Sequence, residues 1–271
     1  MSTTDPQPEA APIPEATPLL TPEARAEVET LIADSDSVEL KLSVADADRQ
    51  VTMRALEMDP LDAQIRQVVF FDTPDLALNR RGVVVRARRV QGKVGDVVVK
   101  LRPVVPKHVP KAVRRSPSFG IEVDVMPDGF VRSGTMKTPV PDRQLKALWA
   151  ADRSLSKVVP SDQASFYDLN APAGIELDGL TPLGPVTVLK LKFRPTGFSR
   201  RMVAELWFYP DGSRILELST KSSPGKAFEV AAEARRLLES RGVDLTAPQQ
   251  TKTRTALEFF AREVRRAAGT R

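Results

Sequence analysis

The sequence predicts an α+β fold in which eight antiparallel strands close into a barrel with helices packed on the outside. Three observations predict it. Eight segments alternate apolar and polar residues with the period of a strand, helical periodicity appears between and after them, and six of the strands place charged groups together on one face. Cations cluster on the third, fourth and sixth of these strands and acids on the first, fifth and eighth, which a shared interior explains better than a solvated face.

Taken in order, residues 1–20 hold Pro6, Pro8, Pro12, Pro14 and Pro18 among Ala, Thr and Glu. They have little to bury, and a disordered acidic tail is expected. Thr21-Pro22 reads as an N-cap with proline at the first helical position, and Ala24, Val28, Leu31 and Ile32 follow at helical spacing, so a helix is predicted over 21–35. The barrel domain is predicted to span 36–266, with strands at 37–44, 65–71, 82–90, 95–104, 119–126, 186–194, 200–209 and 213–221. Asp211-Gly212 joins the last two as a two-residue hairpin of type I′. Helices are expected at 48–58, 142–151, 226–241 and 252–266, while 105–118 and 153–185 read as long loops.

Side chains at i and i+2 of a strand share a face. Glu39 and Lys41, Arg86 and Arg88, Lys100 and Arg102, Glu122 and Asp124, Lys190, Lys192 and Arg194, and Glu217 and Lys221 are therefore grouped. Turned inward, they give a lumen with cations on one part and carboxylates on another. Such a lumen suits a polyphosphate, because guanidiniums grip phosphoryl oxygens and carboxylates hold the divalent metal that bridges them.

Composition narrows the chemistry further. The 271 residues include no cysteine and one histidine, His108, which excludes disulfides, thiolate zinc and a cysteine nucleophile and leaves little room for imidazole sites. Metal chemistry here would have to use mostly carboxylate ligands, pointing to Mg²⁺ or Mn²⁺. Residues 1–35 carry seven acids and one base, a net of −6 within a chain of +5, so residues 36–271 carry +11. An anionic partner follows from that charge. No aromatic interleaves the basic strands, so no specific nucleic-acid signal is present. The 92–95 stretch reads as a hairpin turn, not a phosphate-binding loop. The run Lys107, His108, Lys111, Arg114 and Arg115 reads as a solvated loop that would recruit a polyanion if it had a function. Without a span of about 18 apolar residues or a secretory leader, a soluble cytoplasmic protein with no membrane partner is expected.

Phe71-Asp72-Thr73-Pro74-Asp75, then Gly82 and Val85-Arg86-Ala87-Arg88, resemble the FDTPD and RxR signature of the CYTH domain, the triphosphate tunnel metalloenzymes. Val38-Glu39-Leu40-Lys41 falls where that family has its ExExK strand, and Lys100-Leu101-Arg102 resembles its KxR strand. The resemblance covers about residues 36–262. It implies an eight-stranded triphosphate tunnel and Mg²⁺ or Mn²⁺ dependence. Implied substrates are triphosphates or polyphosphates, nucleotides included, and one branch is adenylyl cyclase. By position it implies phosphate binding by Lys41, Arg86, Arg88, Lys100, Arg102, Lys192, Arg194 and Lys252. Metal would go to Glu39, Glu122, Asp124, Glu205 and Glu217, and catalytic duty to Glu39, Lys41 and Glu122. Ser37, Ser219 and Tyr209 stand where the family has acids, which weakens metal binding more than anion binding. A metal-dependent triphosphatase is the leading expectation, and a non-catalytic polyphosphate or nucleotide binding module is its rival.

Overall fold

The computed structural model describes residues 22–269, so the 1–20 tail lies outside the described residues. Along the chain the strands are β1 (Ser37–Val44), β2 (Gln64–Asp72), β3 (Val83–Val90), β4 (Lys93–Leu101), β5 (Phe119–Met126), β6 (Gly129–Val140), β7 (Thr181–Phe193), β8 (Met202–Phe208) and β9 (Arg214–Ser222). They close in the order β1-β5-β6-β4-β3-β2-β7-β8-β9. The barrel has nine strands where the sequence predicts eight, and β1 and β5 pair in parallel, with Glu39 opposite Asp124. Every other neighbouring pair is antiparallel.

The additional strand is β6. Gly134 and Pro139 interrupt its alternation, yet both fit the sheet. A Cβ on Gly134 would lie 3.1 Å from Val104 and 3.3 Å from Phe119, so the glycine admits close packing. Pro139 lies opposite Asp96, near the end of the strand, where proline is tolerated. Prolines also mask the start of β7, which begins at Thr181 and runs past Pro182 and Pro185, with a register shift against Val68–Phe70 on β2. The predicted 153–185 loop thus contains both this start and a helix, α6 below. The 208–214 connection differs from the type I′ expectation too. Of Asp211 and Gly212 only Gly212 has positive φ (+84°), and Gly212 N donates to Tyr209 O, which makes a three-residue turn begun by Pro210.

The helices are α1 (Pro22–Ala33), α2 (Arg49–Ala55), α3 (Ala77–Arg80), α4 (Lys111–Arg114), α5 (Asp142–Trp149), α6 (Ser161–Asp168), α7 (Ala227–Ser240) and α8 (Lys252–Gly269). Most of them cover the outer face of the barrel. Leu145 of α5 and Phe166 and Tyr167 of α6 pack on Val85, Ala87, Val97 and Val99. Val230 and Leu237 of α7 pack on Leu42, Ala204 and Leu218, and Val28 and Ile32 of α1 on Val38 and Val123. Each such fully buried side chain contributes about 1.5–3 kcal/mol. The exception is α8. Its Ala256 and Leu257 pack on Val68, Phe70, Val188, Trp207 and Ile215, which share the inner face with the lumen charges of their strands. None of the helices described is long and apolar enough to cross a membrane.

Candidate functional site

The FDTPD stretch acts as architecture. Asp72 is buried and accepts hydrogen bonds from the backbone N–H groups of Thr73 (2.7 Å), Leu78 (2.9 Å) and Asn79 (3.0 Å), while Thr73 Oγ1 accepts from Ala77 N at 2.8 Å. These bonds fold the chain through α3 into β3. At the entry to β3, Gly82 has φ +77°, and a Cβ there would come within 2.0 Å of the Arg102 carbonyl oxygen. Gly82 O also accepts from Arg102 N at 2.8 Å, so the motif sets the heights of the β3 and β4 cations relative to one another.

Two ionic groups occupy the lumen. The first is built on β1, β4, β5 and β9. Glu39, Glu122 and Asp124 each bring a carboxylate oxygen to within 4.8 Å of the others. Lys41 Nζ lies 3.1 Å from Glu39 and 2.8 Å from Asp124, Lys100 Nζ is 3.3 Å from Asp124, Arg102 pairs with Asp124, and Lys221 pairs with Glu122. Ser37 and Ser219, the serines in place of acids, both reach this group: Ser37 Oγ donates to Glu122 (3.3 Å) and Ser219 Oγ to Glu39 (3.1 Å). Burial pushes the Asp124 carboxyl up, but Lys41, Lys100 and Arg102 outweigh it and hold the group well below the usual range. Burial pulls Lys100 down to about 8, only partly offset by Asp124 and reinforced by Arg102.

The second group is richer in cations. Arg88 Nη2 is 2.5 Å from Asp96 across the β3–β4 ladder. Glu205 accepts from Lys190 at 2.7 Å and from Lys252 at 2.5 Å, and Lys252 also reaches Glu217 at 2.7 Å. Among the described residues Arg86 has no ion-pair or hydrogen-bond partner. Its Nε, like those of Arg66 and Arg88, is shielded from solvent and has no partner. Burial, with the Arg88 charge adding to it, lowers Arg86 to about 10 despite Asp96 and Glu205. A cation held this way is costly until an anion arrives. The charged side chains named in the two groups are nine cations and six carboxylates, an excess of three positive charges.

The sequence-predicted residues divide accordingly. Glu39, Lys41, Lys100, Arg102, Glu122 and Asp124 come together in the first group, and Arg86, Arg88, Glu205, Glu217 and Lys252 in the second. Glu205 and Glu217 are held by lysines, apart from the carboxylate trio. Lys192 is exposed, and Arg194 is exposed beyond the end of β7. Lys190, two residues deeper on the same strand face, is the β7 cation that enters the lumen. Four further contributors carry no assigned role in the sequence reading: Lys190 and Lys221, which it does turn inward, and Arg66 and Asp96, which it does not single out. Alternation places both on the inner face, but Arg66 is a single charge in the otherwise apolar run around Val68–Phe71 and has no charged i+2 neighbour. Tyr209 is buried, and its hydroxyl donates to the Lys252 carbonyl at 3.0 Å, anchoring the start of α8.

Three carboxylate oxygens converge here, the kind of donor a hard divalent cation takes, with the Ser37 and Ser219 hydroxyls bonded to two of them and the Lys41 ammonium beside them. An acidic cluster able to hold a metal is therefore present.

No protein-family model and no curated protein sequence matches the chain. Solved structures do. A candidate adenylate cyclase from Bacillus halodurans superposes with a TM-score of 0.56 at 12% identity, covering 81% of this chain and 98% of that one. A candidate adenylyl cyclase from Hippeastrum, described as having a dominant triphosphatase activity, gives 0.57 at 13% identity over 78% of this chain and 91% of its own. At these identities the likeness is one of fold, and the closed barrel with outer helices matches the triphosphate tunnel fold.

Proposed function

We propose that the barrel binds a triphosphate or polyphosphate in its lumen and hydrolyses it with a divalent metal, Mg²⁺ or Mn²⁺. The observation that carries this reading is the cluster of Arg66, Arg86 and Arg88, whose Nε groups are shielded and unpartnered inside a lumen with a cationic excess. Guanidiniums fixed on neighbouring strands present forked donors to phosphoryl oxygens without reorganising. Lys41 and Lys252, kept charged by their carboxylate neighbours, add point charges on the other side of the lumen. Glu39, Glu122 and Asp124 would hold the ion, which supplies charge neutralisation and orientation at the phosphoryl group when bound. The matched folds of two candidate cyclases, one described as a triphosphatase, support the same reading.

The rival, a binding module without turnover, is favoured by one observation: each carboxylate of the trio is already engaged by a cation, with serines at two neighbouring positions. Phosphate release from tripolyphosphate with Mg²⁺ or Mn²⁺ separates the two. Release above buffer is expected, and its absence with binding retained would leave the module. Conversion of ATP to a cyclic product tests the cyclase branch. Ser37→Glu adds a carboxylate beside Glu122 and is expected to tighten metal binding about tenfold, roughly 1.4 kcal/mol, in a metal titration.

A further inference from the structure

The segment that joins β4 to β5 carries a concentration of charge that the lumen does not use. Between Asp96 and Glu122 the sequence has no acid, and Lys107, His108, Lys111, Arg114 and Arg115 fall within nine residues of one another. All five are exposed. Where the sequence reads a solvated loop, the structure has a 3-10 turn, Pro106–His108, followed by the single-turn helix α4. Val104, Pro106, Val109 and Val113 are buried beneath them, and the three valines belong to the core that α5 and α6 share with β3 and β4.

Backbone bonds fix this arrangement. Val104 N donates to Arg132 O at 3.0 Å, Val109 N to Pro106 O at 3.1 Å and Ser116 N to Val113 O at 3.0 Å. On α4, Lys111, Arg114 and Arg115 stand at i, i+3 and i+4, which is one face of the turn. Past α4, Ser116 Oγ (2.7 Å) and Ser118 Oγ (3.3 Å) donate to Asp162 of α6, so that acid is taken up by hydroxyls and not by the cations. Arg114 donates to the Pro106 carbonyl at 3.3 Å, and none of the five has an ion pair among the described residues. The result is a fixed cationic surface with its apolar side pinned to the barrel wall.

We propose that this face is a second phosphate-binding surface, outside the lumen, whose ligand is a long linear polyphosphate. The choice of ligand rests on the triphosphate reading of the lumen; the surface itself does not. A protein partner is gripped chiefly through apolar and aromatic anchors, and here the apolar side chains are turned into the core, with Val105 the exception at 43% exposed. Single-stranded nucleic acid adds stacking on aromatic rings, and no Phe, Tyr or Trp lies between Leu101 and Ser118. A phosphate chain needs only cations without acidic partners, and binding releases its counterions. The surface also leads toward the barrel end at which β5 begins: Arg115 precedes Phe119 by four residues, a backbone reach of about 14 Å at most, and Glu122 and Asp124 follow on that strand. A long chain held there stays close to the barrel and raises the effective concentration of phosphate at the lumen.

The experiment titrates the full chain with linear polyphosphate of about 50 units, with tripolyphosphate and with a DNA duplex of the same charge as the long chain, over a range of salt concentrations. In the triple variant Lys107→Gln, Lys111→Gln, Arg115→Gln the long chain is expected to bind about 30-fold more weakly at about 0.1 M salt and with a shallower salt dependence, while tripolyphosphate binds within about twofold of the wild type. A control triple, Arg54→Gln, Arg236→Gln, Arg262→Gln, removes the same charge from exposed positions elsewhere and is expected to change either affinity by less than about threefold. A loss of long-chain affinity no greater than the control's would overturn the surface as a site, and so would an equal loss for tripolyphosphate. A duplex that bound more tightly than polyphosphate and lost as much in the variant would overturn the choice of ligand. Failure of the lumen reading shows itself separately: tripolyphosphate would bind none of the three proteins, while the long chain would still tell the two triples apart.

Discussion

Around Asp124 every charged side chain of the lumen has a partner of opposite sign, and around Arg86 one does not. Each carboxylate of Glu39, Glu122 and Asp124 has an ammonium or guanidinium partner, and Asp124 alone engages Lys41, Lys100 and Arg102. Arg86 has neighbouring arginines and no partner of its own. The contrast separates two ways of building charge into a barrel. One cluster is a preassembled network whose members depend on one another. The other stores uncompensated positive charge at a cost to the empty protein, which an anion repays on binding.

The comparison is open to direct attack. The largest effect is expected at Asp124. Asp124→Asn keeps the shape but leaves three cations without their shared anion, and should destabilise the fold by about 3–5 kcal/mol in urea unfolding. A loss under 1 kcal/mol would mean the network is not interdependent. The next effect sharpens the boundary between the clusters through Lys100, lowered to about 8 from 10.5. Its charge is complete below that value and lost as pH rises through it, so polyphosphate affinity should fall severalfold between pH 7 and 9, and Lys100→Met should remove that step. For stability the sign reverses: between 8 and 10.5 the unfolded chain binds the proton that the folded chain has released, so the cost of burying Lys100 is full below 8 and is relieved as pH rises. The smallest effect is at Tyr209, which belongs to neither cluster. Tyr209→Phe loses one hydrogen bond to the start of α8 and should cost about 0.5–1.5 kcal/mol in thermal unfolding.

Strand alternation carried most of this architecture in the sequence. It put Glu39 with Lys41 and Arg86 with Arg88 on shared faces, and the segregation of sign argued for closure. What it could not express was height along the barrel axis. Lys190 and Lys192 have the same parity, but one pairs with Glu205 and the other is exposed. Closure staggers neighbouring strands, so a residue's depth depends on registers that one sequence does not reveal. β6 escaped notice because Gly134 and Pro139 serve local packing and a strand end, which erases the alternation that marks its neighbours. The apolar inner halves of β2 and β8 look like outer-face packing residues until α8 is seen lying over them.

The central claim is that the arginine cluster around the unpaired Arg86 is the seat of anion binding. Calorimetric titration of tripolyphosphate into the wild-type chain and Arg86→Met, with unfolding of both unliganded proteins measured alongside, tests it most directly. The account predicts that Arg86→Met weakens binding by about 30- to 1,000-fold, roughly 2–4 kcal/mol, while the empty variant is as stable as the wild type or more so. Unchanged affinity, or a variant that binds normally but unfolds more easily, would contradict it.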